Sequence, residues 1–401
     1  MTSVLGTAVL GAMGDPLLNQ EIDFTAIAIV IGKTVFTFAL LLVAVMLMIW
    51  FERKVIADMQ NRIGPNRAGP WGILQTLADG IKFFFKEDLI PDRADRLVFK
   101  IAPYLAMVPA FLSFAIVPLG GTIELFGRET RLQLADPPVG ILFLLAMSAV
   151  AVYGVMLAGW ASGSKYPLLG SVRASAQMVS YEAALGLSVV TVVLVTGSLY
   201  TSDIVFSQSG NILDWNLIRL GIVPFIIFLI AATAELNRPP FDLVEAEQEL
   251  VGGFHTEYSS IRFALFFLAE FMNTVTMSAV IVTLFFGGPT IPWDVPFFTS
   301  VSPVWFLLKV LVFLFTYVWF RATLPRLRYD QLMDLGWKVL IPLALAWLLV
   351  IAAIRMVDTE TALQRFLIVA AAFGAGLLCA VMLIRSLQLG RDTVLEEDLH
   401  G

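Results

Sequence analysis

Six carboxylates crowd into one short stretch of an otherwise apolar chain. Glu235, Asp242, Glu245, Glu247, Glu249 and Glu257 lie in ELNRPPFDLVEAEQELVGGFHTEY, residues 235–258, with Arg238 as the one arginine among them. Acids this dense can exchange protons, because like charges close together raise one another's pKa and bring a carboxyl toward protonation near neutral pH. After Pro239 and Pro240 a short helix can start, with Asp242 as N-cap and Glu245 three residues on, a spacing that suits the helix dipole. On such a helix Asp242, Glu245 and Glu249 share a face. Asp242 and Glu245 would cap a helix in any protein, so a solvated capping loop is the plainer alternative to a proton-exchanging cluster at the rim of a membrane domain. Beside the acids stands His255, one of two histidines; the other, His400, lies in a polar tail.

Ionisable groups inside apolar runs are the second source of chemistry. Glu182 and Glu270 fall in such runs, and Lys309 in a third. A charged carboxylate at mid-bilayer costs a few kcal/mol, so each is expected to be neutral, paired or facing water, and each is a proton-relay candidate by default. Lys33 and Arg219 are near enough to segment ends to snorkel, and are set aside. Tyr181, beside Glu182, offers a hydroxyl, although packing is its plainer role.

The elements that must position these groups are membrane helices. Of 401 residues 58% are hydrophobic and 14% charged, against roughly a quarter charged in soluble proteins. Nine apolar segments, 27–50, 101–118, 139–160, 174–197, 217–234, 263–286, 303–320, 337–354 and 366–384, approach the ~17–25 residues a bilayer requires. The chain is expected to be all-α, a polytopic helical bundle with about nine spans. The third and ninth spans carry no charge, which reads as lipid-facing or structural. Of the 26 basic residues, 19 fall in loops after odd-numbered spans or in the C-terminal tail. That side should be cytoplasmic, which puts the N-terminus outside, the C-terminus inside, and the acidic loop, residues 235–262, among the basic loops. The division expected is an N-terminal extension over 1–26, with neither the basic start nor the long apolar core of a signal peptide, an eight-helix domain over 27–356, and an added helix and tail over 357–401.

Between the first two spans NRIGPNRAGPWG, residues 61–72, forbids a continuous helix, and a periodic stretch follows. Leu74, Leu77, Ala78, Ile81, Phe84 and Phe85 form one stripe and Gln75, Asp79, Lys82 and Lys86 the other. This predicts an amphipathic interfacial helix over 70–87. It can simply shield the membrane surface, or its polar face can turn inward and line a cavity. Absences narrow the chemistry further. The single Cys379 excludes disulfides within the chain and a cysteine-ligated cluster of its own, and no metal site, nucleotide fingerprint, P-loop or internal repeat is present. Any redox centre must sit on another chain.

FERKVIADMQNRIGPNRAGPWGILQTLADGIKFFFKED (51–88), RASAQMVSYE (173–182) and AELNRPPFDLVEAEQELVGGFHTEYSSIRFALFFLAE (234–270) resemble the signature regions of one family, the quinone-chamber membrane subunit of proton-pumping NADH:quinone oxidoreductase, respiratory complex I. The likeness runs from the first span through the eighth. It implies a heel of the membrane arm that encloses a quinone tunnel with peripheral-arm iron–sulfur and quinone-site subunits of the B, D and I types. It further implies small membrane subunits of the A, J and K types and antiporter-like subunits as partners, within the lipid of a bacterial cytoplasmic membrane and without nucleic acid. Ubiquinone or menaquinone would be the substrate, and FMN and iron–sulfur clusters would belong to partners.

By the same resemblance Glu52, Arg53, Arg62 and Asp79 match residues of the tunnel and its mouth, with Arg238 the arginine of the acidic loop. Glu235, Asp242, Glu245, Glu247 and Glu249 match the acidic-loop residues, and Glu182, Glu257, Tyr258 and Glu270 match further members of a path toward the membrane interior. The added ninth span, Phe366 to Ile384, departs from mitochondrial members, which end after eight. Two rival expectations are the equivalent subunit of a membrane-bound hydrogenase or other-donor complex, and a stand-alone cation transporter using Glu182, Glu270 and Lys309.

Overall fold

In the computed structural model the described residues are 15–19, 23–244, 247–290 and 302–356. They are mostly helical, with a single two-stranded hairpin. The helices are α1 (Phe24–Met59), α2 (Gln75–Phe85), α3 (Arg96–Phe114), α4 (Gly140–Ala161), α5 (Lys165–Thr196), α6 (Thr201–Phe206), α7 (Asn216–Arg219) and α8 (Ile222–Glu235). After them come α9 (Glu247–Leu250), α10 (Ser260–Phe285), α11 (Ser302–Thr323), α12 (Tyr329–Asp334), a π-helical turn over Leu335–Leu340, and α13 (Ile341–Met356).

Among the described residues seven helical runs are long and apolar enough to cross a membrane: α1, α3, α4, α5, α10, α11 and the run Tyr329–Arg355. The expected fifth span, 217–234, is divided. Gly221, at φ 78°, separates α7 from α8, and the 14 residues of α8 reach only about 21 Å at 1.5 Å per residue. The ninth expected span, with Cys379, and the tail with His400 lie outside the described residues.

The 36 residues of α1 extend about 54 Å, well beyond the ~30 Å hydrocarbon layer, so its last turns carry Glu52 and Arg53 past the apolar zone. Its start is capped by Asp23, whose carboxylate accepts from the Phe24 amide at 2.7 Å. The central helix is α10, which packs against α1, α3 and α11. Its buried hydroxyls do not need outside partners: Thr274, Thr276, Ser278 and Thr283 each donate to the carbonyl four residues back, at 2.8–2.9 Å. The uncharged α4 is structural. A Cβ at Gly154 would lie 2.7 Å from the Ala106 amide of α3, and one at Gly159 would collide with Ser171 of α5, so the small residues let three helices approach closely.

At the Phe24 end lies a hairpin, β1 (Thr122–Leu125) and β2 (Arg128–Arg131), joined by Phe126 and Gly127 at φ 52° and 75°, the two positive values that a two-residue turn of this twist requires. Here Lys33 does not snorkel. Its ammonium donates to Asp15 at 2.6 Å and to Thr130 at 3.0 Å, and Asp15 also accepts from the Arg131 amide at 3.2 Å. Burial pushes the Asp15 carboxyl up, but Lys33 and the amides of Leu17 and Arg131 outweigh it and hold it below the usual carboxylate range.

Lys309 is equally committed. Its Nζ donates to the carbonyls of Phe286, Gly288 and Thr290 at 2.8, 2.9 and 3.0 Å, which uses all three protons and closes the C-terminal end of α10. It is a latch between α10 and α11.

Candidate functional site

The end of α8 aims the central residue of the site. Asn237 takes φ 52°, and the Arg238 amide donates to the Thr233 carbonyl at 3.2 Å, a six-to-one bond of the Schellman kind that an asparagine in left-handed geometry permits. Pro239 and Pro240 stop the helix there, and the Arg238 side chain turns back into the bundle.

Arg238 meets two carboxylates. Its Nη1 donates to both oxygens of Glu52 on α1, at 3.0 and 3.2 Å, and its Nε lies 3.2 Å from Glu270 Oε1 on α10. The guanidinium also sits 4.6 Å from the centre of the Phe271 ring. Arg321, at the end of α11, contacts Glu52 from the other side. Two arginines and two carboxylates thus form a charge-balanced quartet, with Glu52 and Arg238 each only 4% exposed. Buried ions are tolerated only when fully bonded, and removing one partner from such a pair costs about 3–5 kcal/mol.

The quartet borders a cavity of about 800 Å³, to which Glu52 and Arg321 contribute polar wall and Ile49, Ile56, Phe267 and Phe271 apolar wall. Arg53 and Arg62 line it as well. Arg53 donates to Asp79 of α2 at 2.7 Å, with Lys82 3.9 Å from the same carboxylate, so the polar face of α2 turns toward α1. Leu74, Leu77, Ile81, Phe84 and Phe85 are left exposed on the other face. The helix itself starts at Gln75; residues 70–72 form a separate turn in which Trp71 and Gly72 take φ 53° and 77°.

A second, smaller cavity of about 70 Å³ inside the bundle is lined by Glu270, Glu235, Asn273 and His255 among apolar groups. Its volume suits a few waters at ~10–15 Å³ each. Glu270 therefore faces Arg238 on one side and this cavity on the other. Glu235 is buried at the end of α8, with Ser148 of α4 and Glu182 of α5 as its polar neighbours. Glu52, Arg238, Glu270, Glu235 and Glu182 thus follow one another from the large cavity inward.

His255 stands edge-on between Phe254 and Phe263, with ring centres 5.0 and 5.2 Å away, and burial pushes its imidazole down to about 4. A histidine whose folded pKa lies below its unfolded 6.5 favours the fold fully above pH 6.5 and loses that contribution as pH falls from 6.5 toward 4, by up to about 1.4 kcal/mol per pH unit. His255→Leu, which cannot titrate, is expected to flatten the acid limb: the drop in melting temperature of the purified assembly between pH 7.5 and 5 should shrink relative to the unsubstituted protein.

The acidic loop does not form the capping-box helix. Phe241, Leu243 and Val244 are buried, which holds 241–244 non-helical against the bundle, and the Asp242 carboxylate pairs with Arg326 at 2.9 Å. Two short helical turns are described there, α9, where Glu249 reaches Arg173 of α5 at 2.7 Å, and a 3-10 turn over Gly253–His255. Asp242 and Glu249 therefore answer different arginines and share no face. Glu245 and the side chain of Glu247 lie outside the described residues. Glu257 lines a separate cavity with Arg93 and Lys165, and Tyr258 stacks on Phe99 of α3 at 4.0 Å and donates to its carbonyl at 3.2 Å, a packing role remote from the large cavity. Arg62 donates to Gln60 at 2.7 Å. Sequence reasoning missed Arg321, counted there only among loop cations; its signal was a guanidinium directly at the end of a span, where it can turn back inward.

The chain matches the family model described as NADH dehydrogenase over residues 32–352. The H-type subunit of NADH-quinone oxidoreductase from Frankia alni is 50% identical over 396 residues, covering 96% of this chain and 85% of that protein. The corresponding proteins of Frankia casuarinae and Streptomyces avermitilis are 52% and 49% identical over 361 and 364 residues, covering 89% and 88% of this chain and 79% of each relative. With a polytopic helical bundle and relatives this similar over nearly its whole length, the chain belongs to the family of H-type subunits of NADH-quinone oxidoreductase, multi-pass membrane components of that enzyme complex.

Proposed function

We propose that this subunit is the heel of the membrane arm: its large cavity, closed by peripheral-arm subunits, receives a quinone, and its carboxylate series carries the protonation state of the reacting head group inward. The observation that carries this reading is the Arg238 guanidinium shared between Glu52 on the cavity wall and Glu270 on the internal cavity.

An amphiphilic quinone would enter from the bilayer between α1, α2 and α10, with Ile56, Phe267 and Phe271 as apolar lining and Arg53, Arg62, Asp79 and Arg321 as polar anchors. The lining suits the ring of ubiquinone or menaquinone. Two electrons from an iron–sulfur cluster on a neighbouring subunit and two protons convert quinone to quinol, and the reduced oxygens draw protons as they become basic. When Glu52 takes up a proton its hold on Arg238 weakens, and the guanidinium shifts toward Glu270 and favours its ionised form. Loss of the proton reverses the exchange. Each partner change is worth about 3–5 kcal/mol, against about 2.3 kcal/mol for moving one charge against 100 mV, so a single exchange can bias the movement of one proton. From Glu270 the series continues through Glu235 to Glu182.

The acidic loop joins this scheme as the segment whose Asp242 and Glu249 are tied to Arg326 and Arg173, where peripheral-arm subunits of the B, D and I types would dock. The A-, J- and K-type and antiporter-like subunits would flank the bundle, and FMN and iron–sulfur clusters would remain on partners. On this reading the basic loops at the cavity end would face the bacterial cytoplasm, with the N-terminus outside and the C-terminus inside, as the bias of basic residues toward that side favours.

The test is a pair of variants in the purified complex. Glu52→Gln should raise the KM for quinone and lower kcat. Glu235→Gln should leave KM unchanged and reduce the protons moved per electron. Both should keep the NADH:ferricyanide reaction that reports the assembled peripheral arm. Unchanged quinone kinetics in the first, or unchanged proton stoichiometry in the second, would remove the chamber or the path respectively.

A further inference from the structure

Two cavities flank the first half of α10, and among the described residues Phe267 alone lines both. Its neighbours on the helix divide between them. Phe263, one turn before, lines the internal cavity with its ring 5.2 Å from that of His255. Phe271, one turn after, lines the large cavity with its ring 4.6 Å from the Arg238 guanidinium. Residues four apart share a helix face, so the three phenyls form one row that runs from one cavity to the other. Ring centres lie 6.3 Å apart from Phe263 to Phe267 and 4.8 Å from Phe267 to Phe271.

A phenyl ring offers water no strong donor or acceptor, and apolar constrictions in membrane proteins close by staying dry. Glu52 and Arg321 belong to the large cavity, and Glu270 and Glu235 to the internal one, with no polar residue among those described common to both. What links the two polar sets is the Arg238 guanidinium, bonded to Glu52 and 3.2 Å from Glu270. A guanidinium is not deprotonated in proteins, so this link conveys charge and passes on no proton. Water crossing at Phe267 would convey the proton itself.

We propose that Phe267 is a seal that keeps the two cavities from joining into one water path, so that charge crosses through Arg238 while protons do not. Coupling needs that separation. Quinone reduction draws two protons, and with the cavities joined these would come straight from Glu270 and its waters. Protons held on the carboxylate series would then drain to the quinol without being moved across the membrane. The inference rests on the proposed carboxylate path, and its test distinguishes the failure of one from the failure of the other.

Phe267→Ala in the intact complex removes the middle ring of the row. Because Phe267 also lines the quinone cavity, the KM for quinone is expected to rise, so the test reads ratios and not rates. Protons moved per electron, measured from pH changes in sealed vesicles, should fall at least about twofold as water enters the constriction. Stimulation of quinone reduction by an uncoupler should shrink in parallel, and Phe267→Leu should fall between alanine and the unsubstituted protein. Proton leak without NADH should stay unchanged, since the seal divides two cavities and not the two sides of the membrane; a leak that accounts for the lower ratio would overturn the proposal. A ring that serves only packing predicts less assembled complex in native gels and an unchanged ratio in what assembles, which would overturn it as well. If the alanine variant does not assemble, the leucine variant decides by the same ratio. Glu235→Gln lowering the ratio while Phe267→Ala leaves it would remove the seal and keep the path; an unchanged ratio in both would remove path and seal together.

Discussion

Arg238→Met is expected to lower NADH-dependent quinone reduction by at least about 10²-fold, the scale of losing one preorganised charged donor from an active site. The substitution keeps much of the side-chain volume, so the effect is electrostatic. Glu52 would be left to Arg321 alone, and Glu270 would lose the guanidinium 3.2 Å away. Two carboxylates in a buried setting would then have one cation between them, a defect of about 3–5 kcal/mol. Part of that would appear as less assembled complex, which native gels of solubilised membranes would measure, and the rest as lost activity in the complex that does assemble. Arg238→Lys discriminates further. Lysine restores the charge but cannot span Glu52 and Glu270 with one planar fork, so assembly should recover more than activity. Equal recovery of both would mean that charge neutralisation suffices and that sharing between the two carboxylates is not required.

Hydropathy made the membrane helices legible because burial in lipid leaves a long uninterrupted signal, and the two stripes of α2 marked an amphipathic helix but left open which way its polar face would turn. Local patterns were less dependable where tertiary contacts compete. The spacing of Asp242 and Glu245 favours a helix start, but burial of Phe241, Leu243 and Val244 together with the Arg326 pair outweighs a cap of about 1 kcal/mol. A single glycine, Gly221, divided what hydropathy joined into one span. Lys33 and Lys309 show why an intramembrane cation cannot be assigned a role from its depth alone: the first answers Asp15, far back in the chain, and the second answers three carbonyls, which have no side-chain signature at all. The quartet was half legible. Glu270 stood out as a charge in an apolar run, Arg238 as the one arginine of the acidic stretch and Glu52 only through the family resemblance, whereas their meeting requires α1, the end of α8 and α10 to converge from positions far apart in the chain, and Arg321 to reach in from α11.

Glu270→Gln separates binding from coupling most sharply. The amide occupies the place of the carboxylate 3.2 Å from Arg238 Nε, and Glu52 still holds the guanidinium, so the cavity wall keeps its shape, but the group can no longer take or release a proton. Quinone should therefore bind with nearly the same KM, while kcat falls by roughly 10²-fold where proton delivery through the internal cavity limits turnover. Protons moved per electron should fall in the turnover that remains, read from pH changes in sealed vesicles reconstituted with the complex. Glu270→Asp, which keeps the acid on a shorter arm, should recover part of the rate. If Glu270→Gln alone removes nearly all proton movement, the flux runs through the cavity shared by Glu270, Glu235 and His255. Unchanged proton stoichiometry in Glu270→Gln would mean that Glu270 serves only to hold Arg238, and the coupling would have to leave the quartet by another exit.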